Sequence, residues 1–162
     1  MDSPASEVHM AKPGTLLPED VQLIRHDHLS LYAEVREFER VLDDLKCRAA
    51  AEPSLACVSE ACRLARHLAQ TLPGHMRFED KTLFAELAQR DPAAKIFAKE
   101  MQHQHDELCA ALERISRIIL EFDAEVDARE TIHKLVEEGF AFARNVSSHV
   151  AAEEQELLKF RN

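Results

Sequence analysis

Four long stretches of this chain place apolar residues three or four positions apart, and each stretch holds one histidine in phase with them. Steps of three and four keep side chains on one face of an α-helix, so each stretch predicts a helix with one buried face. The stretches run over residues 21–45, 58–83, 97–122 and 132–157. The histidines on these faces are His28, His75, His105 and His149.

Local signals mark where the helices begin and where they break. The first helix is expected to begin near Pro18, because proline suits the first helical turn. Breaks are expected at residues 51–54 and 122–124, and before Pro92, with Asp91 as the N-cap. The second apolar face continues in phase through Pro73, where we expect a kink but no end of the helix.

The two halves of the chain are copies of one pattern. A shift of 77 positions places His28 on His105, and a shift of 74 places His75 and Glu79 on His149 and Glu153. Apolar positions compared at the same shifts also coincide. The simplest architecture is an all-α, up-down-up-down antiparallel four-helix bundle with an internal pseudo-twofold repeat. We expect this domain at residues 17–162, after a flexible, polar N-terminal arm at residues 1–16.

Composition narrows the functional classes. The formal net charge of −10 argues against a nucleic-acid partner, which needs a basic surface. No apolar run approaches the roughly 20 residues of a membrane span, and the N-terminus lacks the pattern of a signal peptide. We therefore expect a cytoplasmic protein with no membrane partner. The four cysteines show no Cys-x-x-Cys spacing and are expected to be reduced.

Each of two histidines lies four residues before a glutamate, which puts both side chains of a pair on one helical face. Burying two carboxylates and four imidazoles without a cation would cost several kcal/mol per unpaired charge. This donor set suits two first-row transition metals, and its chemistry alone permits iron, zinc or manganese. The expected ligands are His28, His75, Glu79, His105, His149 and Glu153.

Residues beside these positions are expected to lie outside the set of metal ligands. His26 and His103 lie two positions from a core histidine, about 200° around the helix, and are expected to face solvent. Asp80 and Glu154 follow the two glutamates and are expected at the rim of the site. His28 and His105, the lone histidines, have no glutamate four residues later. Tyr32 and Cys109 each lie one turn after a lone histidine, where they either pack at the core edge or tune the metals. Met101, one turn before His105, is placed among the same outer residues.

Two other interpretations of the histidines stay open. A single buried histidine is commonly satisfied by a hydrogen bond to a polar neighbour or to water. A helical histidine phosphotransfer module would need one exposed histidine, and it would leave the repeated carboxylates unexplained.

The order His, His-x-x-x-Glu, His, His-x-x-x-Glu over about residues 18–160 resembles the hemerythrin-like, or HHE cation-binding, family. The resemblance implies two iron ions in a non-haem, oxo- or hydroxo-bridged di-iron centre. It also implies a protein that binds or reacts with O₂, NO or peroxide, in sensing or stress response. The alternative is an enzyme that reduces peroxide or NO, or that delivers iron for iron-sulfur cluster repair. The matching contexts are Asp27-His28-Leu-Ser-Leu31, His75-Met-Arg-Phe-Glu79-Asp80, Gln104-His105-Asp-Glu-Leu108 and His149-Val-Ala-Ala-Glu153-Glu154.

The sequence departs from the oxygen-carrying hemerythrins at two positions. Met101 stands where they have a fifth histidine, and Glu153 replaces an aspartate that lies five residues after their final histidine. Both departures argue against reversible oxygen carriage. The remaining set is similar to that of bacterial iron-sulfur cluster repair proteins, which respond to NO. Those proteins carry an extra cysteine-containing N-terminal domain, whereas residues 1–16 are short and hold no cysteine.

Overall fold

The computed structural model describes residues 16–48, 55–123 and 128–160. Within these ranges the chain is helical from residue 18 on apart from single-residue interruptions at Thr82 and Asp91, and no strand occurs. Residues 1–15 of the expected arm and the expected break at residues 51–54 lie outside them. Of the break expected at residues 122–124, residue 124 lies outside them, while residues 122 and 123 are still helical, which corrects that expectation. None of the described helices is both long and apolar enough to cross a membrane. The helices are α1 (Pro18–Arg48), α2 (Leu55–Lys81), α3 (Leu83–Arg90), α4 (Pro92–Asp123) and α5 (Ala128–Leu157), followed by a 3₁₀ turn (Leu158–Phe160).

Two helices begin where their local signals predicted. Helix α1 starts at Pro18, as expected for proline in a first turn. Helix α4 starts at Pro92, and the Asp91 carboxylate accepts hydrogen bonds from the backbone N–H groups of Ala93 and Ala94 at 2.8 and 2.9 Å. These bonds satisfy donors that a helix start otherwise leaves free, so the predicted N-cap is confirmed.

The second apolar stretch forms two helices rather than one. Pro73 lies inside α2 and does not end it, as expected, while the kink there stays a prediction. The helix ends instead at Lys81, and α3 begins at Leu83 after the single residue Thr82. The Thr82 hydroxyl donates to the carbonyl of Phe78 at 2.8 Å. A threonine that bonds back to the carbonyl four residues earlier competes with the helical ladder and favours a local break.

A polar site divides the buried core into two apolar clusters. The larger cluster contains Phe38, Leu68, Ile115 and Phe142, from α1, α2, α4 and α5. The smaller cluster is built from the other ends of α1, α4 and α5 together with α3, and the partly buried Phe78 of α2 packs against it. Its buried members are Ile24, Leu83, Phe84, Leu87, Ala94, Ala98, Met101 and Leu157.

Helices α1 and α5 approach closely at Gly139. A Cβ atom built on Gly139 would lie 2.6 Å from Cδ1 of Leu42, and 3.2 Å from the ring of Phe38. Both neighbours are fully buried. Glycine at this position therefore lets the two helices pack against each other, and the helix contact sets how near α5 brings its polar residues to α1.

Candidate metal centre

Four helices bring all six predicted ligand residues together between the two apolar clusters. Helix α1 supplies His28, α2 supplies His75 and Glu79, α4 supplies His105, and α5 supplies His149 and Glu153. Both glutamates are 0% exposed, and three of the histidines are at most 4% exposed. The His75 side chain is 10% exposed. The repeated sequence unit thus corresponds to one cluster in space.

The carboxylate of Glu79 faces histidines of both halves. Its Oε1 atom lies 3.0 Å from Nε2 of His28 and 3.1 Å from Nε2 of His75. Its Oε2 atom lies 3.4 Å from Nε2 of His105. One carboxylate therefore presents one oxygen to the first histidine pair and its other oxygen to the second.

Glu153 repeats this arrangement from the opposite half. Its Oε1 atom lies 3.1 Å from Nε2 of His149 and 3.7 Å from Nε2 of His105. Its Oε2 atom lies 3.3 Å from Nε2 of His28. Two carboxylates, each with one oxygen toward each histidine pair, have the arrangement that bridging ligands of two adjacent cations require.

Many of these converging atoms have no hydrogen-bond partner among the described residues. They are Nε2 of His75, of His105 and of His149, Oε2 of Glu79 and both carboxylate oxygens of Glu153. Nδ1 of His75, on the outer side of its ring, has no such partner either. Buried polar atoms are rarely left without a partner, and each one costs about 1–3 kcal/mol. Imidazole nitrogens and carboxylate oxygens are also ligands of iron, zinc and manganese. The residues present therefore fit a pair of metal ions.

Without metal, the charges of the same cluster favour protonation of two of its histidines. Burial by itself lowers the pKa of His28, but the nearby carboxylates of Glu153 and Glu79 outweigh it and raise that pKa to about 10. The same balance raises the pKa of His105 to about 10. Burial likewise raises the pKa of Glu153, yet contacts with His105, His149 and His28 lower it to about 2. Protons on two histidines therefore balance the buried carboxylates when no cation is bound.

The outward-facing nitrogens of three histidines meet acceptors from neighbouring helices. Nδ1 of His28 lies 2.8 Å from a carboxylate oxygen of Glu154, and Nδ1 of His105 lies 3.1 Å from one of Asp80. Nδ1 of His149 lies 3.1 Å from the amide oxygen of Gln104. Asp80 and Glu154 do lie at the rim, as expected, with side chains 35% and 26% exposed. Their contacts with the histidines are not predicted by the helical spacing alone.

The fourth histidine has a looser outer contact. Nδ1 of His75 lies 3.6 Å from a carboxylate oxygen of Asp27, which is beyond hydrogen-bond distance. Beside it, Asp27, Gly74, His75 and Phe78 help to line a groove of about 410 Å³ between α1 and α2. The most exposed histidine of the cluster therefore faces the surface at this groove.

The three residues predicted near the site occupy different surroundings. The Tyr32 hydroxyl lies 3.4 Å from the backbone oxygen of Ser147, and burial, with the charges of Glu154 and Glu153, raises the pKa of Tyr32. Burial also raises the pKa of the Cys109 thiol, which lines a cleft between α2 and α4. Met101 is 3% exposed in the smaller apolar cluster. A tuning role for these residues stays a prediction.

The histidines next to the cluster point away from it, as predicted. His26 is exposed, and the His103 side chain is 66% exposed. The expected helical register is confirmed, because a two-residue error would have exchanged these histidines with His28 and His105.

Comparison with known families gives one match that covers most of the chain. A family model described as the hemerythrin HHE cation binding domain matches residues 19–160. No curated protein and no solved structure matches the chain. The matched range includes all six residues of the cluster.

Proposed function

The chain belongs to the hemerythrin HHE cation-binding family, and from this premise we propose that it is a di-iron protein that binds or reacts with O₂, NO or peroxide. The observation that carries the proposal is the convergence of buried imidazole nitrogens and carboxylate oxygens that have no hydrogen-bond partner among the described residues. A cation pair would supply the missing partner for those of them that face the centre, which are imidazole Nε2 atoms and carboxylate oxygens. Iron is preferred over zinc or manganese because of the family.

The proposed ligands divide into two sets. His28 and His75 would hold one ion and His105 and His149 the other, with Glu79 and Glu153 bridging them. Support comes from the distances: ligand atoms of His28, His75 and Glu79 lie within 4.8 Å of one another. Those of Glu79, His105, His149 and Glu153 form a second such group. Glu79 is common to both groups, and Oε2 of Glu153 lies 3.3 Å from Nε2 of His28 in the first group, so both carboxylates reach across the two sets.

We also propose the up-down-up-down topology with its pseudo-twofold repeat. On α1 and α4 the smaller apolar cluster comes before the lone histidine, at Ile24 and Met101, and the larger cluster comes after it. On α2 and α5 the order is reversed, with the larger cluster before the glutamate. Alternation of this order along successive long helices is what antiparallel neighbours produce.

A bound iron pair would supply one-electron redox chemistry and free coordination positions for a small ligand. Four imidazoles and two bridging carboxylates give each ion about four protein donors, which leaves about two positions in an octahedral site. Met101 occupies the position of the fifth histidine of oxygen carriers, and its thioether is buried among apolar side chains. This chain therefore offers no additional imidazole there to saturate one ion.

The same observation favours a second candidate function. Two open ions suit inner-sphere reaction better than clean reversible release, so an enzyme that reduces peroxide or NO is the alternative. The groove beside His75 reaches the most exposed histidine of the cluster from the surface, and its lining combines Asp27, Ser30 and Thr71 with apolar side chains. A small reactant would enter by this groove, while the two apolar clusters cover the site at either end.

The test is metal content and spectrum of protein purified from iron-supplied cells. We expect about two iron ions per chain and an absorption spectrum that dithionite bleaches. Stopped-flow mixing of the reduced protein with oxygen should give rapid oxidation, and azide and NO should perturb the spectrum. Protein without iron that stays colourless after reconstitution would refute the proposal. A band that appears with oxygen and disappears on degassing would restore reversible carriage, and turnover of peroxide or NO would favour the enzyme.

A further inference from the structure

The residue directly after each buried glutamate contacts a histidine of a different helix. Glu153 of α5 is followed by Glu154, whose Oε1 atom lies 2.8 Å from Nδ1 of His28 on α1. Glu79 of α2 is followed by Asp80, whose Oδ1 atom lies 3.1 Å from Nδ1 of His105 on α4. In each acidic pair the first carboxylate thus faces the cluster. The second carboxylate faces the Nδ1 atom of a lone histidine, on the side of the ring away from the cluster.

The two contacts are copies of each other under the internal repeat. The 74-position shift that places Glu79 on Glu153 also places Asp80 on Glu154. The 77-position shift places His28 on His105, and these are the histidines that Glu154 and Asp80 contact. Two independent parts of the chain therefore form the same acceptor-to-histidine contact, across α5 and α1 in one case and across α2 and α4 in the other.

These contacts reach the outer nitrogens of the two histidines that have no glutamate one turn later on their own helix. His75 and His149 each have such a glutamate, which faces their Nε2 atom at 3.1 Å. For His28 and His105 the nearby carboxylates at the centre and at the back of the ring come from other helices. A carboxylate that accepts the Nδ1–H bond fixes the ring orientation and the tautomer, and leaves the Nε2 lone pair directed at the centre.

We propose that Asp80 and Glu154 are positioning residues that hold the two lone histidines ready for metal. This inference rests on the proposed metal centre. Glu154 also pairs with Arg25 on α1, whose Nε atom lies 3.2 Å from its second oxygen. Both side chains of that ion pair are partly exposed, at 37% and 26%, so the pair adds little to the placement of the carboxylate. Arg25 therefore provides a control that separates surface charge from the contact with His28.

The experiment loads metal-free protein with Co²⁺ and measures affinity by absorption titration. Glu154→Ala and Asp80→Ala should each weaken Co²⁺ binding about 10-fold or more, the usual effect of losing an outer hydrogen bond to a histidine ligand. Glu154→Gln keeps an acceptor oxygen and should bind within about threefold of wild type. Arg25→Gln and the exposed neighbour variant Gln155→Ala should bind as wild type does.

Proton NMR of the Co²⁺-loaded protein gives a readout that a general structural effect would not produce. Imidazole N–H protons of bound histidines are shifted by the paramagnetic ion and can be counted individually. In Glu154→Ala one such signal, that of His28, should exchange faster with water while the others persist. Asp80→Ala should affect a different single signal, that of His105.

The outcomes distinguish this inference from the proposed function. Wild-type protein that binds no Co²⁺ would refute the metal centre itself. Wild-type protein that binds two ions, with alanine variants of unchanged affinity and unchanged N–H exchange, would refute only the positioning role. Equal losses in Arg25→Gln and Glu154→Ala, or in Glu154→Gln and Glu154→Ala, would also overturn it. If Glu154→Ala does not fold, Glu154→Gln and Asp80→Ala still decide the matter.

Discussion

Metal loading should release protons from the two lone histidines. The pKa of each of His28 and His105 is raised to about 10 in the metal-free protein, so both rings carry a proton at neutral pH. A protonated Nε2 atom cannot bind a metal, and each ion must therefore displace one proton. The expected release is about two protons per loaded centre, and the affinity for each ion should rise about 10-fold per pH unit below pH 10.

Isothermal titration calorimetry with Zn²⁺, which avoids redox side reactions, measures this release. Titrations at pH 7 in two buffers of different ionisation enthalpy give the number of protons from the difference in heat. His26→Ala and His103→Ala serve as controls, because both side chains are exposed and should leave the number unchanged. Zn²⁺ binding without proton release, or an affinity that is constant between about pH 6.5 and 9, would show that the lone histidines are neutral before metal binds.

Three further predictions concern stability and metal retention. The metal-free protein should lose stability as pH rises from about 6.5 through about 10. Protonated His28 and His105 stabilise the fold fully only below about pH 6.5, because their pKa is raised from 6.5 to about 10 in the folded state. It should also lose stability as pH falls from 4.5 through about 2, because the pKa of Glu153 is lowered to about 2 in the folded protein. Thermal melts at a series of pH values measure both losses. Gly139→Ala should destabilise the fold by about 1–3 kcal/mol through overpacking against Leu42, whereas Gly74→Ala, whose Cβ would meet only Arg77 at 4.0 Å, should stabilise it by about 0.5–1 kcal/mol. Urea unfolding of the two variants checks the contrast, which equal effects would contradict. A His75→Ala, His149→Ala double variant should lose its metal and melt at a lower temperature than wild type, and full metal occupancy in that variant would contradict the ligand assignment.

Helix starts could be predicted from the sequence where a capping residue or a proline marks them. Pro18 and the Asp91-Pro92 pair mark helix starts through backbone chemistry that acts within a few residues, and both starts agree with the structure. The break at Thr82 carries no such signal, because its apolar face continues in phase from Glu79 to Leu83. Whether a threonine hydroxyl bonds back to the carbonyl of Phe78 depends on its rotamer and on the packing of α3, which the period of the sequence does not encode.

The residues of the candidate site also differ in how far they could be predicted. The pattern of a single helix indicates the central residues, whereas the outer contacts depend on how two helices pack. The six central residues could be predicted because each lies on the apolar face of its own helix, and that face must point to the core. Asp80 and Glu154 lie one residue later, which turns them about 100° from the centre. In a bundle of four helices that direction faces the neighbouring helix and not bulk solvent. A residue judged to be at the rim of one helix is thus well placed to contact a histidine of the next, as at His105 and His28. Such contacts depend on the rotation and axial offset of two helices together, and the internal repeat, which pairs Asp80 with Glu154, is the only sequence signal that could have indicated them.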